Sequence, residues 1–164
     1  MKKFLLAACM MLVSTMSFAQ KDAMAAGINL DFGFDHGYNN IGLGAKYQWE
    51  FVQNVRGELE FNYFFKKDYI SQWNTALNFH YLFRIGQAKK FAIYPIVGFS
   101  VIGQKADVLG HSTSTTDFGM NFGAGVEYPI ADKVKINAEY KFQPIFSSGG
   151  GSRSLLAFGV CYMF

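Results

Sequence analysis

Residues 72–84 read "QWNTALNFHYLFR". Every second position gives Trp73, Thr75, Leu77, Phe79, Tyr81 and Phe83; the positions between give Gln72, Asn74, Ala76, Asn78, His80, Leu82 and Arg84. Successive side chains of a strand point to opposite faces, so the stretch predicts a strand with one apolar face and one polar face. Residues 134–143 repeat the pattern, with Val134, Ile136, Ala138, Tyr140 and Phe142 set against Lys135, Asn137, Glu139, Lys141 and Gln143. Which face points inward decides both the fold and the solvent.

Eight segments alternate in this way: 27–35, 41–51, 55–65, 72–84, 91–102, 117–130, 134–145 and 154–164. Most match the roughly 9–11 residues with which a tilted strand crosses a bilayer. Their apolar faces carry no charge. Their polar faces carry Asp31, Asp35, Lys46, Glu50, Arg56, Glu58, Glu60, Lys66, Arg84, Asp117, Glu127, Lys135, Glu139 and Lys141. Gly42, Gly44, Gly119, Gly123, Gly125, Ala157 and Gly159 lie on that same polar side. Eight strands enclose a lumen only wide enough for side chains. Small residues alternating with long charged ones fill such a lumen, whereas the Phe, Tyr, Trp, Leu and Ile of the other face overfill it. The bulky face therefore looks outward into lipid, and a soluble sandwich or barrel with its charges outside is disfavoured. Closure pairs every strand edge, as hydrocarbon requires. The sequence thus predicts an all-β, eight-stranded antiparallel up-and-down transmembrane barrel with a polar lumen.

The links support this reading. Those around Gln53-Asn54, Gly86 to Lys89 and Ala131-Asp132 are tight; others, including "KADVLGHSTSTT" (105–116) and "SSGGGSRS" (147–154), are longer. Tight turns on the periplasmic side and longer loops outside are the asymmetry of outer-membrane barrels. Pro95 falls mid-strand and removes a ladder hydrogen bond, which predicts a local bulge.

The chain opens on "MKKFLLAACMMLVSTMSFAQ". Lys2 and Lys3 precede an apolar run from Phe4 to Val13, and Ser17-Phe18-Ala19 offers the small residues of a signal-peptidase site. Residues 1–19 are expected to be a cleaved signal peptide and residues 20–164 the barrel domain, exported to the outer membrane. Of the 15 basic residues, 13 remain without Lys2 and Lys3 and nearly balance the 12 acidic ones, and no nucleic-acid partner is implied. Cys9 leaves with the signal, so Cys161 stands alone and no internal disulfide forms.

The candidate sites follow from the faces. Lys46, Glu58, Glu60, Arg84, Glu127, Lys135, Glu139 and Lys141 form an expected lumenal charge network, because an unpaired buried charge is costly. Adjacent-strand reasoning pairs Lys46 with Glu58 or Glu60, and Glu127 with Lys135 or Lys141. The ending "GVCYMF" (159–164) echoes "GAKYQW" (44–49), "NFHYLF" (78–83) and "GVEYPI" (125–130). Each places a tyrosine and a following bulky residue on the lipid face of a strand descending to the short turns. Tyr47, Trp49, Tyr81, Phe83, Tyr128 and Tyr162 are thus expected in one interfacial girdle, with rings among acyl chains and hydroxyls at headgroups. Phe34, Phe65, Trp73, Phe99, Phe118 and Phe142 are expected in the opposite one.

The layout resembles the small eight-stranded outer-membrane barrels of the OmpA/OmpX type, over essentially all of the mature chain. The signal peptide, the eight alternating segments and the ending Gly159-x-x-Tyr162-x-Phe164 carry the resemblance. It implies that Gly159, Tyr162 and Phe164 are read by the outer-membrane assembly machinery. Ala157 stands where the pattern usually has a polar residue.

The expected function is non-enzymatic: envelope structure or surface interaction, with membrane lipid, the assembly machinery and a surface partner of the loops as partners. Two alternatives remain open. One is a narrow pore. The other is a lipid A acyltransferase or deacylase, for which His36 with Asp68 and Ser71, or His111 with Ser112 or Ser114, would supply base and nucleophile. The histidines His36, His80 and His111 lack metal-ligand spacing, and no cofactor or metal is expected.

Overall fold

The computed structural model describes residues 24–35, 38–67, 70–86, 91–108, 111–146 and 151–164. The expected signal peptide and the candidates His36 and Asp68 lie outside these residues, and the side chains of Asp35, Lys66, His111 and Ser112 are likewise outside the description.

Each alternating segment is a strand: β1 Met24–Asp35, β2 Tyr38–Val52, β3 Val55–Lys67, β4 Ile70–Tyr81, β5 Phe83–Ile85, β6 Phe91–Val108, β7 His111–Ala131, β8 Val134–Phe146 and β9 Gly151–Met163. All pairings are antiparallel, and β1 pairs with β9, so the sheet closes. The short β5 continues β4. His80↔Ile96 and Phe83↔Ile93 hold one register against β6, and the ring has eight staves.

Register fixes the shape. A path of paired residues from Met24 runs through Trp49, Gly57, Phe79, Val97, Phe122, Phe142 and Ser154, and re-enters β1 at Phe34. The circuit thus gains the Met24-to-Phe34 distance along β1, a stagger that tilts the strands by about 40° and leaves a lumen of side-chain width. Alternation then sorts the residues. Glu58 is 0% exposed and Glu60 1%, whereas Ile28 is 70% and Phe99 61%. Polar residues fill the interior and bulky apolar residues coat the outside, the reverse of a water-soluble barrel.

Both tryptophans lie over glycines of the next strand. Trp49 pairs with Gly57 and Trp73 with Gly103. A Cβ on Gly57 would stand 2.5 Å from the Trp49 ring, and one on Gly103 would stand 2.1 Å from the Trp73 ring. Only glycine admits the ring flat against the neighbouring backbone.

Three sequence expectations are corrected. β6 shows no bulge at Pro95: it keeps one register on β7 through Pro95↔Ala124. The missing N–H is felt across the ladder instead. Tyr81 and Leu82, the residues opposite Pro95 and Tyr94, lose their pairing with β6 alone, which divides β4 from β5; on the other edge Tyr81 still pairs with Val55 of β3 and the Leu82 N–H donates to the Asn54 carbonyl at 2.7 Å. Residues 105–116 are largely strand rather than loop, since β6 reaches Val108 and β7 begins at His111. Lys105, Thr113, Ser114, Thr115 and Thr116 are all exposed and none is apolar, so the alternation fades there. β9 likewise begins at Gly151, so Arg153 belongs to a strand and not to a loop.

Candidate functional site: the charged interior and the closing seam

Long polar side chains from β2, β3, β7 and β8 meet in the lumen because the strands on opposite walls stand only a side chain or two apart. At mid-height, Lys46 Nζ lies 3.7 Å from Glu58 and 3.0 Å from Glu139. Lys141 Nζ donates to both Glu60 oxygens at 2.7 and 2.6 Å and stands 3.4 Å from Glu139. Two ammonium groups and three carboxylates thus interlock across the barrel. Amides complete the carboxylates: Gln48 and Asn78 donate to Glu58 at 2.7 and 3.1 Å, and Asn62 and Asn78 donate to Glu60 at 3.0 and 3.2 Å. Glu139 also accepts from the Tyr94 hydroxyl at 2.9 Å and from Asn137 at 2.8 Å.

Nearer the short turns, Arg56 reaches across to Glu127 at 2.6 Å, and Lys135 reaches the same carboxylate from the next strand at 3.2 Å. The guanidinium also donates to Nδ1 of His80 at 3.2 Å from Nε and packs over the Tyr94 ring, on which His80 stacks at 4.8 Å. Toward the loops, Arg153 donates to Gln143 and to Gln72 and covers the Phe64 ring, and Gln143 continues to Ser100 and Asn121. Asp31 accepts from Asn29 at 2.5 Å. The interior is therefore a ladder of mutually engaged groups along its length.

Seven of the eight sequence-predicted lumenal residues meet here: Lys46, Glu58, Glu60, Glu127, Lys135, Glu139 and Lys141. Arg84 does not. It is exposed at the turn-side rim, 2.6 Å from Glu50 and bonded to the Asn54 amide oxygen. Alternation gave its face, but β5 lies past the end of the packed interior. Sequence reasoning passed over the buried Arg153, which it placed in a loop, and named Arg56 without a partner. The adjacent-strand pairs Lys46–Glu58 and Lys135–Glu127 form as read, but the shortest contacts, Lys141–Glu60 and Arg56–Glu127, span non-neighbouring strands. Only the stagger of the closed barrel brings those residues to one height.

The aromatic candidates sit outside. Tyr47 and Trp49 stack at 6.1 Å, Tyr81 and Phe83 meet at 4.9 Å, and Tyr128 is exposed on the same wall. Tyr162 and Tyr47 both pair with Ala26, one from each side of β1. The small Ala26 leaves room for the ring of Phe164, which lies 6.5 Å from Tyr162 and 6.4 Å from Tyr47. The Phe164 N–H donates to the Met24 carbonyl at 3.1 Å. The last residue thus spans the junction of the first and last strands. Gly159 faces inward, where a Cβ would collide with the Asn137 amide oxygen. Cys161 is buried inside as a free thiol. Of the alternative catalytic candidates, Ser71 is half-buried near the start of β4 and Ser114 is exposed on β7.

The sequence matches the outer membrane protein beta-barrel domain family over residues 5–164. Solved structures agree in fold. Neisserial surface protein A is similar with a TM-score of 0.71 at 14% identity, covering 86% of this chain and 96% of that one. The N-terminal β-barrel domain of Pseudomonas aeruginosa OprF gives 0.63 at 15%, covering 84% and 97%. Ail, the attachment invasion locus protein of Yersinia pestis, gives 0.57 at 20%, covering 86% and 96%. No curated protein matches the sequence. The class defined by closed sheet, polar interior and apolar coat is the small transmembrane barrel. The chain belongs to the outer membrane protein beta-barrel domain family and resides in the outer membrane.

Proposed function

We propose that this protein is a closed, non-enzymatic barrel that serves envelope structure and surface interaction, rather than a pore or a lipid A-modifying enzyme. The observation that carries the reading is the cross-lumen ladder: Lys46–Glu139, Lys141–Glu60 and Arg56–Glu127 tie opposite walls together, with side chains at 0–3% exposure apart from 11% for Glu127. A conduit needs mobile, solvated charges, and here they are consumed by one another.

Residues 1–19 serve as the cleaved export signal, and Gly159, Tyr162 and Phe164 are the strand-end features read by the assembly machinery. Tyr47, Trp49, Tyr81, Phe83 and Tyr128 anchor the turn-side end at the headgroups. Membrane lipid is the partner of the outer wall. A groove of about 380 Å³ over Ala138, walled by Val126, Ile136, Phe158 and Val160, has the shape and polarity for an acyl chain. The loop end faces outward and supplies the surface for a partner.

Purified barrel in planar lipid bilayers tests the central claim. Membranes containing folded protein are expected to stay at baseline conductance, and discrete, reproducible channel steps would overturn the closed-barrel reading. Lipid A profiles by mass spectrometry are expected to be unchanged by overexpression; a new acylation state would overturn the non-enzymatic reading.

A further inference from the structure

The outer wall is not evenly coated. On β7, β8 and β9 the outward residues line up in rows across the sheet. Val126, Ala138 and Phe158 form one row, Tyr128, Ile136 and Val160 the next towards the turns, and Val134 and Tyr162 the one after. Ala138 is the one small residue of these rows, and the groove of about 380 Å³ opens over it. Val126, Ile136, Phe158 and Val160 stand exposed around it. A floor of one methyl between branched and aromatic walls matches the width of a single acyl chain.

At its turn end the groove meets a cation. Lys133, in the turn between β7 and β8, is exposed, and its Nζ lies 5.8 Å from the centre of the Tyr162 ring. The Met163 N–H donates to the Lys133 carbonyl at 2.8 Å, which ties the turn to β9. Among the described residues Lys133 forms no ion pair, not even with the adjacent Asp132, whereas the rim cation Arg84 is engaged by Glu50. Tyr128 on β7 and Tyr162 on β9 flank β8 close to this level, with hydroxyls suited to headgroups. We infer that groove and cation together hold one phosphatidylglycerol molecule of the periplasmic leaflet, an acyl chain over Ala138 and the phosphate on the Lys133 ammonium. The wall lies in hydrocarbon and the short turns lie on the periplasmic side, so the occupant is a lipid of that leaflet. A glycerophospholipid has the matching layout, with its phosphate one glycerol away from the first methylenes. Phosphatidylethanolamine brings its own ammonium, which competes with Lys133 for the phosphate, so a net negative headgroup is preferred. A second copy fits less well: about a two-fold axis groove faces groove, which doubles the void instead of filling it, and two Lys133 ammonium groups enter one interface.

This inference deepens the reading of membrane lipid as the partner of the outer wall and rests on it. The test folds the barrel into vesicles of equimolar phosphatidylglycerol and phosphatidylethanolamine, releases it in mild detergent and counts bound lipid by native mass spectrometry. The wild type is expected to retain one lipid, phosphatidylglycerol over phosphatidylethanolamine by about fivefold, the preference one lysine confers near a membrane surface. Lys133→Gln keeps the groove and is expected to retain lipid without preference. Ala138→Phe fills the groove and is expected to lose retention of both lipids. Heat-modifiable gel mobility verifies that each variant is a folded barrel. Lipopolysaccharide added to the vesicles is expected to leave the count unchanged, and its displacement of phosphatidylglycerol would overturn the assignment. A bare wild-type barrel, a preference that survives Lys133→Gln, or retention unchanged by Ala138→Phe also overturns it, as does a dimer that Ala138→Phe abolishes, the last in favour of a second copy. These results leave the membrane reading standing, whereas a wild-type chain that does not enter the vesicles overturns both.

Discussion

Lys141→Met is the most direct probe of the interior. The substitution keeps an unbranched side chain of similar reach but removes an ammonium 2.7 and 2.6 Å from the two oxygens of Glu60 and 3.4 Å from Glu139. The two carboxylates lose unequally. Glu139 retains Lys46 at 3.0 Å, Tyr94 and Asn137. Glu60 retains only amides, from Asn62, Asn78 and the more distant Asn29, which solvate but do not neutralise it. Breaking a buried pair from one side costs about 3–5 kcal/mol, and the surviving amides place this case at the lower end, about 3 kcal/mol. With a urea dependence of about 1–3 kcal/mol per molar, the unfolding midpoint in lipid vesicles is expected to fall by about 1–3 M. Trp49 and Trp73, both on the outer wall, report the transition by fluorescence. Glu60→Gln alone should also destabilise, but the double variant should recover about 2 kcal/mol relative to the sum of the singles, because it leaves no orphan charge on either wall. A midpoint unmoved by Lys141→Met, or strict additivity in the double variant, would refute a dry, paired interior.

Other expectations separate the regions of the molecule. Arg84→Ala removes an exposed rim pair and should cost less than about 1 kcal/mol in the same urea assay. Gly103→Val drives a side chain into the Trp73 ring and should cost about 1–3 kcal/mol while shifting the tryptophan emission. Phe164→Ala removes two ring contacts at the seam, worth about 0.5–1.5 kcal/mol each, and should lower the yield of heat-modifiable barrel on refolding into vesicles. Cys161, buried in the lumen, should resist maleimide in the folded barrel and label fully after boiling; rapid labelling of unboiled protein would contradict a filled interior.

Period-two alternation made the wall legible from the sequence. Leu43, Phe61, Phe79 and Phe122 could only face one way, and the polar series beside them could only face the other. The hairpin pairs Lys46–Glu58 and Lys135–Glu127 were legible for the same reason, since a tight turn fixes the register of two consecutive strands. The contacts across the lumen were not. Lys141 and Glu60 lie eighty-one positions apart, and nothing local to either one encodes the stagger that sets them level. Arg84 shows the complementary limit: alternation assigns a face but not a height. The upper part of β7 escaped because the pattern is a record of lipid on one side, and the exposed Thr113, Ser114, Thr115 and Thr116 offer no apolar residue to alternate with. Pro95 was read as a defect of its own strand, whereas an antiparallel ladder passes the missing donor to the neighbour.

The seam sets an order on assembly. β1 finds its second partner only in β9, and the last link of all is Phe164 to Met24. Every other hairpin forms between strands made one after the other, but this joint waits until β9 has been made. A ribosome-released product lacking even its final strand would therefore be an open sheet with two bare margins, unable to live in hydrocarbon. Closure thereby works as a check on β9: membrane residence is open only to a chain that has been made through its closing strand, and the slow step of folding falls on the strand pair most distant in sequence.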